Sequence, residues 1–182
     1  MIMKKTNEIV LDLQNLEQMF LRPESVFYPN RRLSPEAIEF ISETADIMHY
    51  HTPISLKVYL PYEAANGAHE IEIAVHQHFA YLRKKSKIKL KQTIKLGWKS
   101  LLISIIFLSL LISLASFVAQ YLPEGGPSIA LREILVIIGW VALWRPADLL
   151  LYEWRPIKHE VNLFTRLEQC EVEIIANHLV KH

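Results

Sequence analysis

The chain has 182 residues, of which 51% are hydrophobic and 21% charged, with a formal net charge of +1. That length holds one or two compact units and excludes a large multidomain machine. The average conceals a sharp division: residues 100–122 carry no charged side chain, whereas residues 1–82 hold six Lys/Arg against eleven Asp/Glu.

The N-terminal portion, residues 1–82, reads as a small cytoplasmic α+β unit. Lys4-Lys5 is followed by the polar Thr6-Asn7-Glu8 rather than by an apolar run, so no secretory signal is expected and the first membrane helix must act as its own insertion signal. Glu8–Leu13 and Ile54–Leu60 alternate polar and aliphatic residues, the pattern of half-buried strands. Between them Ser34-Pro35-Glu36 opens a helix, with serine as N-cap and proline at the first helical position, and Ile38, Ile41 and Ala45 share one face. A long helix is expected from about Ala68, because Ile71, Val75, Phe79 and Leu82 recur at steps of three or four. That stripe either packs on the sheet of its own chain or forms a coiled-coil-like seam between subunits.

Residues 83–99 form a basic juxtamembrane helix. Arg83, Lys84, Lys85, Lys87, Lys89, Lys91, Lys95 and Lys99 follow one another with no acid among them. Lys84, Lys85, Lys87, Lys89 and Lys91 are the candidate contacts to anionic lipid headgroups, worth about 1 kcal/mol per basic residue near a membrane surface. The run abuts an apolar segment and lacks interleaved aromatics, so no nucleic-acid partner is expected.

Residues 100–122 are long enough at about 1.5 Å per residue to cross a hydrocarbon core of about 30 Å, and they read as transmembrane helix 1. Residues 123–127, Pro-Glu-Gly-Gly-Pro, make a short external turn that joins antiparallel neighbours. Residues 128–152 read as transmembrane helix 2, with Arg132–Glu133 and Arg145 near its two ends, where long side chains reach water. The lysines lie before the first span, Arg155 and Lys158 after the second, and the turn has neither Lys nor Arg, so both termini are expected in the cytoplasm. Residues 153–182 return as a cytoplasmic helix, with Ile157, Val161, Phe164 and Leu167 on one face, and a strand at Glu171–Ala176. The fold expected is therefore a membrane protein: a two-helix transmembrane hairpin inserted in a small cytoplasmic α+β domain, between its second and third strands. The lone Cys170 cannot form an intramolecular disulfide, which fits a reducing compartment.

Trp-Arg-Pro occurs twice, ten residues apart, at Trp144-Arg145-Pro146 and Trp154-Arg155-Pro156. Trp140, Trp144, Asp148 and Tyr152 are spaced by four, and Arg145 can reach Asp148 one turn on. With Trp154 and Arg155 they form the candidate assembly or interfacial cluster: either an inter-subunit clasp or an aromatic belt with snorkelling arginines. Ser104, Ser109, Ser113, Ala115 and Ser116 give the first span small surfaces on which another helix can approach closely.

Gly139-Trp-Val-Ala-Leu-Trp-Arg-Pro146 through Leu151-Tyr-Glu-Trp-Arg-Pro156, with the two spans and the basic helix, resembles an uncharacterised family of small two-span bacterial inner-membrane proteins, a domain of unknown function. The resemblance implies a bacterial inner (plasma) membrane location and carries no catalytic residues across.

Among the histidines, His69, Glu72 and His76 share a helical face, and His49 and His51 form a pair, but no zinc-protease or cysteine-pair spacing accompanies them. No phosphate-binding glycine loop is present in the sequence. The expectation is a non-enzymatic protein without cofactor or metal, an oligomeric scaffold or accessory subunit whose partners are membrane lipids, further copies of itself and another inner-membrane protein. Two alternatives stand beside it: an oligomeric channel with Glu124 at its mouth and Ser100, Ser104 and Ser109 as lining residues, and a membrane-bound enzyme with an unrecognised site.

Overall fold

The computed structural model describes residues 7–15, 18–20, 33–48, 52–61, 68–123 and 125–177. His49, His51 and Glu124, named above, lie outside the described residues. The elements are β1 (Asn7–Asp12), α1 (Pro35–Ile47), β2 (Ile54–Pro61), α2 (Ala68–Tyr121), α3 (Gly126–Ala142), α4 (Trp144–Asp148), a π-helical turn (Leu149–Glu153), α5 (Trp154–Glu168) and β3 (Glu171–Asn177). The chain divides into two compact units, one formed by residues 1–85 and 160–182 and the other by residues 86–159.

In the first unit the strands form a three-stranded sheet in the order β1-β2-β3, parallel throughout. The α+β expectation thus becomes a mixed α/β arrangement, since parallel neighbours require crossovers, and both connections contain helix. Register aligns Ile9, Leu56 and Val172, and then Leu11, Val58 and Ile174, on one face. That face joins Ile41 of α1, Ile71, Val75 and Phe79 of α2, and Leu163 and Leu167 of α5 in a single core. At about 25 cal/mol per Å² of apolar surface, burying each of these large side chains contributes roughly 1.5–3 kcal/mol.

The entry to α1 follows the sequence signature. Ser34 Oγ accepts a hydrogen bond from the Ala37 N–H at 3.2 Å and donates to the Gln18 carbonyl at 2.9 Å, so one hydroxyl caps the helix and pins the preceding segment. Ile71, Val75 and Phe79 are fully buried in their own unit, and Phe79 stacks on Phe164 with ring centroids 6.3 Å apart. The inter-subunit seam is thereby overturned: the stripe is consumed by the sheet it follows.

In the second unit the last part of α2 and α3 pack as antiparallel neighbours joined through Pro123–Gly125. The Ser128 hydroxyl accepts from the Gly125 N–H at 3.2 Å and lies 2.8 Å from the Gly125 carbonyl, closing the turn. α2 and the stretch beginning with α3 each contain a segment long and apolar enough to cross a membrane. Only 22% and 17% of those segments are buried within the molecule, unlike the core helices of a water-soluble fold.

Candidate interaction site at the Trp-Arg-Pro repeats

A single continuous helix over 128–152 does not form. Pro146 has no N–H, so the Ala142 carbonyl four residues earlier loses its helical donor, and α3 ends there. Leu143 makes a tighter turn, its N–H donating to the Trp140 carbonyl at 3.0 Å. The orphaned Ala142 carbonyl is taken up from outside the helix: the buried Ser104 hydroxyl of α2 donates to it at 2.8 Å. The same cause acts at the second repeat, where the turn just before Trp154-Arg155-Pro156 widens to π.

Two glycines mark close approaches of α2 in the same unit, Gly97 to the π turn and Gly139 of α3 to α2. A Cβ at Gly97 would lie 2.7 Å from Leu150 Cδ2 and 2.9 Å from Leu150 Cγ; one at Gly139 would lie 2.5 Å from Leu108 Cδ1. Leu111, Ala115 and Val118 continue the buried face of α2. Ser104 and Ala115 therefore serve the chain's own hairpin rather than the surface expected for a neighbouring subunit. Ser109, Ser113 and Ser116 remain exposed, with their hydroxyls donating to the carbonyls of Ile105, Ser109 and Ile112 one turn back.

The expected Arg145–Asp148 pair forms, and Glu153 joins it as a second and nearer partner. Arg145 Nη1 lies 2.5 Å from Glu153 Oε1 and 3.6 Å from Asp148 Oδ2. An eight-residue step leaves the face in a regular α-helix; the π turn absorbs one extra residue, so Glu153 comes back to the side of Arg145. Glu153 was not legible from three- and four-residue spacing; the signal was Pro156, which widens the turn between the partners. Trp144, Arg145, Asp148 and Tyr152 border one shallow groove together with Val141 and Ala147. Trp140 is exposed but is not among the residues lining that groove. The Arg155 guanidinium lies over the Tyr152 ring at 5.9 Å, and Lys158 Nζ over the Trp154 ring at 5.3 Å. All groove residues come from one helical stretch, so the groove cannot surround a small molecule; it suits contact with another extended surface.

Lys84, Lys85, Lys87, Lys89 and Lys91 are all exposed on α2. The buried side of that stretch is Ser86 and Gly97, with Leu90 and Thr93 half-buried between them.

In the first unit, His76 Nδ1 lies 2.5 Å from the Glu168 carbonyl at the end of α5, and Arg83 Nε lies 2.7 Å from the Glu168 carboxylate. These basic groups meet the negative end of the helix. His69 Nδ1 is 3.9 Å from Glu72. Among the described residues no three metal-ligating side chains converge. Lys57 donates to Glu8 at 2.8 Å, and that hydrogen bond raises its pKa. Burial pushes the Cys170 thiol up to about 11.

No family model, curated protein or solved structure matches this chain.

Proposed function

We propose that this chain is a bacterial inner-membrane protein that crosses the bilayer twice with both termini in the cytoplasm, and that it acts non-enzymatically as an oligomeric scaffold or accessory subunit. The observation that carries the reading is the way the hairpin sorts its surfaces. Outward it exposes Leu102, Ile106, Leu110, Phe117, Ile134 and Ile137, each more than half exposed, at 51–64%. Inward it holds the one backbone carbonyl that Pro146 strips of its donor, satisfied by Ser104. A water-soluble surface does not carry a continuous apolar belt of this extent, whereas lipid demands both features.

Membrane lipids are the first partner of this reading. The exposed lysines of α2 keep its N-terminal side in the cytoplasm, and those nearest the span, Lys95 and Lys99, meet anionic headgroups. The scaffold role draws support from the Trp-Arg-Pro surface, where Trp144, Arg145, Asp148 and Tyr152 present charge and aromatic area at one end of the belt. A neighbouring copy, or another inner-membrane protein, would cover the charges that lipid tails solvate poorly. A channel draws less support, because the Ser104 hydroxyl is buried and engaged by Ala142, and Ser109 by Ile105.

Native mass spectrometry of the full chain in mild detergent and in nanodiscs tests the reading. One dominant stoichiometry above monomer is expected; a monodisperse monomer in every medium overturns the scaffold role.

A further inference from the structure

We infer that the exposed lysine face of α2 docks on the acidic outer face of the sheet in a second copy of this chain. The inference rests on the oligomeric reading above and names the surfaces that would form the contact.

The sheet supplies the first half. Parallel sheets are ordinarily covered on both faces. Here the core covers one; on the other, among the described residues, register sets Glu8, the buried Ser55 and Glu171 in one row, Val10, Lys57 and Glu173 in the next, and Asp12, Tyr59 and Ile175 in the third. Glu8, Asp12, Glu171 and Glu173 are exposed, Val10 is 49% exposed, and Tyr59 and Ile175 are half-buried. Lys57 is held by Glu8, which leaves the face acidic around an apolar centre.

α2 supplies the other half. Lys84, Lys87, Ile88, Lys91 and Lys95 recur at steps of three and four and share one face, opposite the buried Ser86 and Gly97. Ile88 is 49% exposed within this frame of lysines. Basic charge around an apolar residue thus faces acidic charge around apolar residues, the complementarity that fixes a partner and its register. Each copy carries one face of each kind, so each offers one and receives one.

Helix rise decides against lipid as the occupant of this part of the face. If the bilayer begins near Ser100, Lys91 stands about 14 Å along the axis and Lys84 about 24 Å. A tilt of 40° still leaves Lys84 about 18 Å away, against a screening length of about 8 Å at physiological salt. Lys95 and Lys99 reach the headgroups; Lys84, Lys87 and Ile88 stand beyond them.

The test is charge exchange in the full-length chain, reconstituted in nanodiscs of neutral lipid, with assembly read by native mass spectrometry. Lys87→Glu/Lys91→Glu and Glu171→Lys/Glu173→Lys should each raise the dissociation constant of the assembly about tenfold with far-ultraviolet circular dichroism unchanged, and the two sets combined should restore it. Reversals that weaken assembly without recovery on combination overturn the contact. An assembly indifferent to both sets overturns it too, while leaving the scaffold reading standing; a monomeric parent chain overturns both. A lysine reversal that alters only binding to anionic vesicles assigns the face to lipid instead.

Discussion

Ser104 on α2 donates its hydroxyl to the backbone carbonyl of Ala142 on α3 at 2.8 Å, and it does so because Pro146 leaves that carbonyl without a helical partner. A break in one helix is thus repaired by a side chain of the other. Ser104→Ala should destabilise the hairpin by about 1–2 kcal/mol in a steric-trap or detergent unfolding measurement. Pro146→Ala supplies the missing N–H, so the same serine substitution should cost much less in that background. Equal costs in both backgrounds would separate the serine from the proline.

The two packed glycines should respond unequally. At Gly139 an added Cβ meets the far end of the Leu108 side chain, which can rotate away, while the gain in helix propensity of about 1 kcal/mol offsets the shift. At Gly97 it meets both Cγ and Cδ2 of Leu150, so the whole side chain must move. Gly139→Ala is expected near neutral and Gly97→Ala destabilising by about 1–3 kcal/mol, measured by the same unfolding assay.

Glu153, not Asp148, is the nearer partner of Arg145. Glu153→Leu should therefore shift the assembly toward smaller species more than Asp148→Leu does. Pro156→Ala should reproduce part of the Glu153→Leu effect, because a regular α turn would carry Glu153 off the Arg145 side. Native mass spectrometry of the three variants gives the order.

Cys170 is buried, and its thiol is raised from 9.0 to about 11. The folded state therefore holds this proton where the unfolded chain has lost it. The stabilisation, roughly 2–3 kcal/mol, is present in full below pH 9 and is lost as pH rises from about 9 to about 11. Thiol titration with a coloured disulfide reagent should find Cys170 unreactive at neutral pH and reactive on denaturation; prompt reaction of the folded chain would contradict the burial.

Much of the first unit is legible in the sequence because its signals are local. The alternation of Glu8–Leu13 and Ile54–Leu60 and the Ser34-Pro35 cap each require only neighbouring residues, and the strands and helix form where those signals stand. The fate of the Ile71–Phe79 stripe is not local: the same periodicity serves a seam or a core, and only the presence of β1, β2 and α5 against it decides. The Trp-Arg-Pro cluster was legible as a cluster and in its Arg145–Asp148 pair, but not in the Glu153 contact. Regular helical spacing points Arg145 to Asp148, and the π turn that brings in Glu153 comes from a proline beyond both partners. Ser104 was legible as a small residue, while the carbonyl it serves depends on Pro146, forty-two residues away in a different helix.

Cysteine accessibility tests the central claim, that the chain crosses the membrane twice, most directly. Gly126 has nothing within 4 Å of an added Cβ, so Gly126→Cys places a thiol on the first residue of α3, beside the turn, without steric cost, and buried Cys170 gives little background. In cells, a membrane-impermeant maleimide added from outside should label Gly126→Cys, and should label Lys85→Cys and Glu171→Cys only after the membrane is opened. Labelling of Lys85→Cys or Glu171→Cys in intact cells, or protection of Gly126→Cys until lysis, would contradict the two-span account.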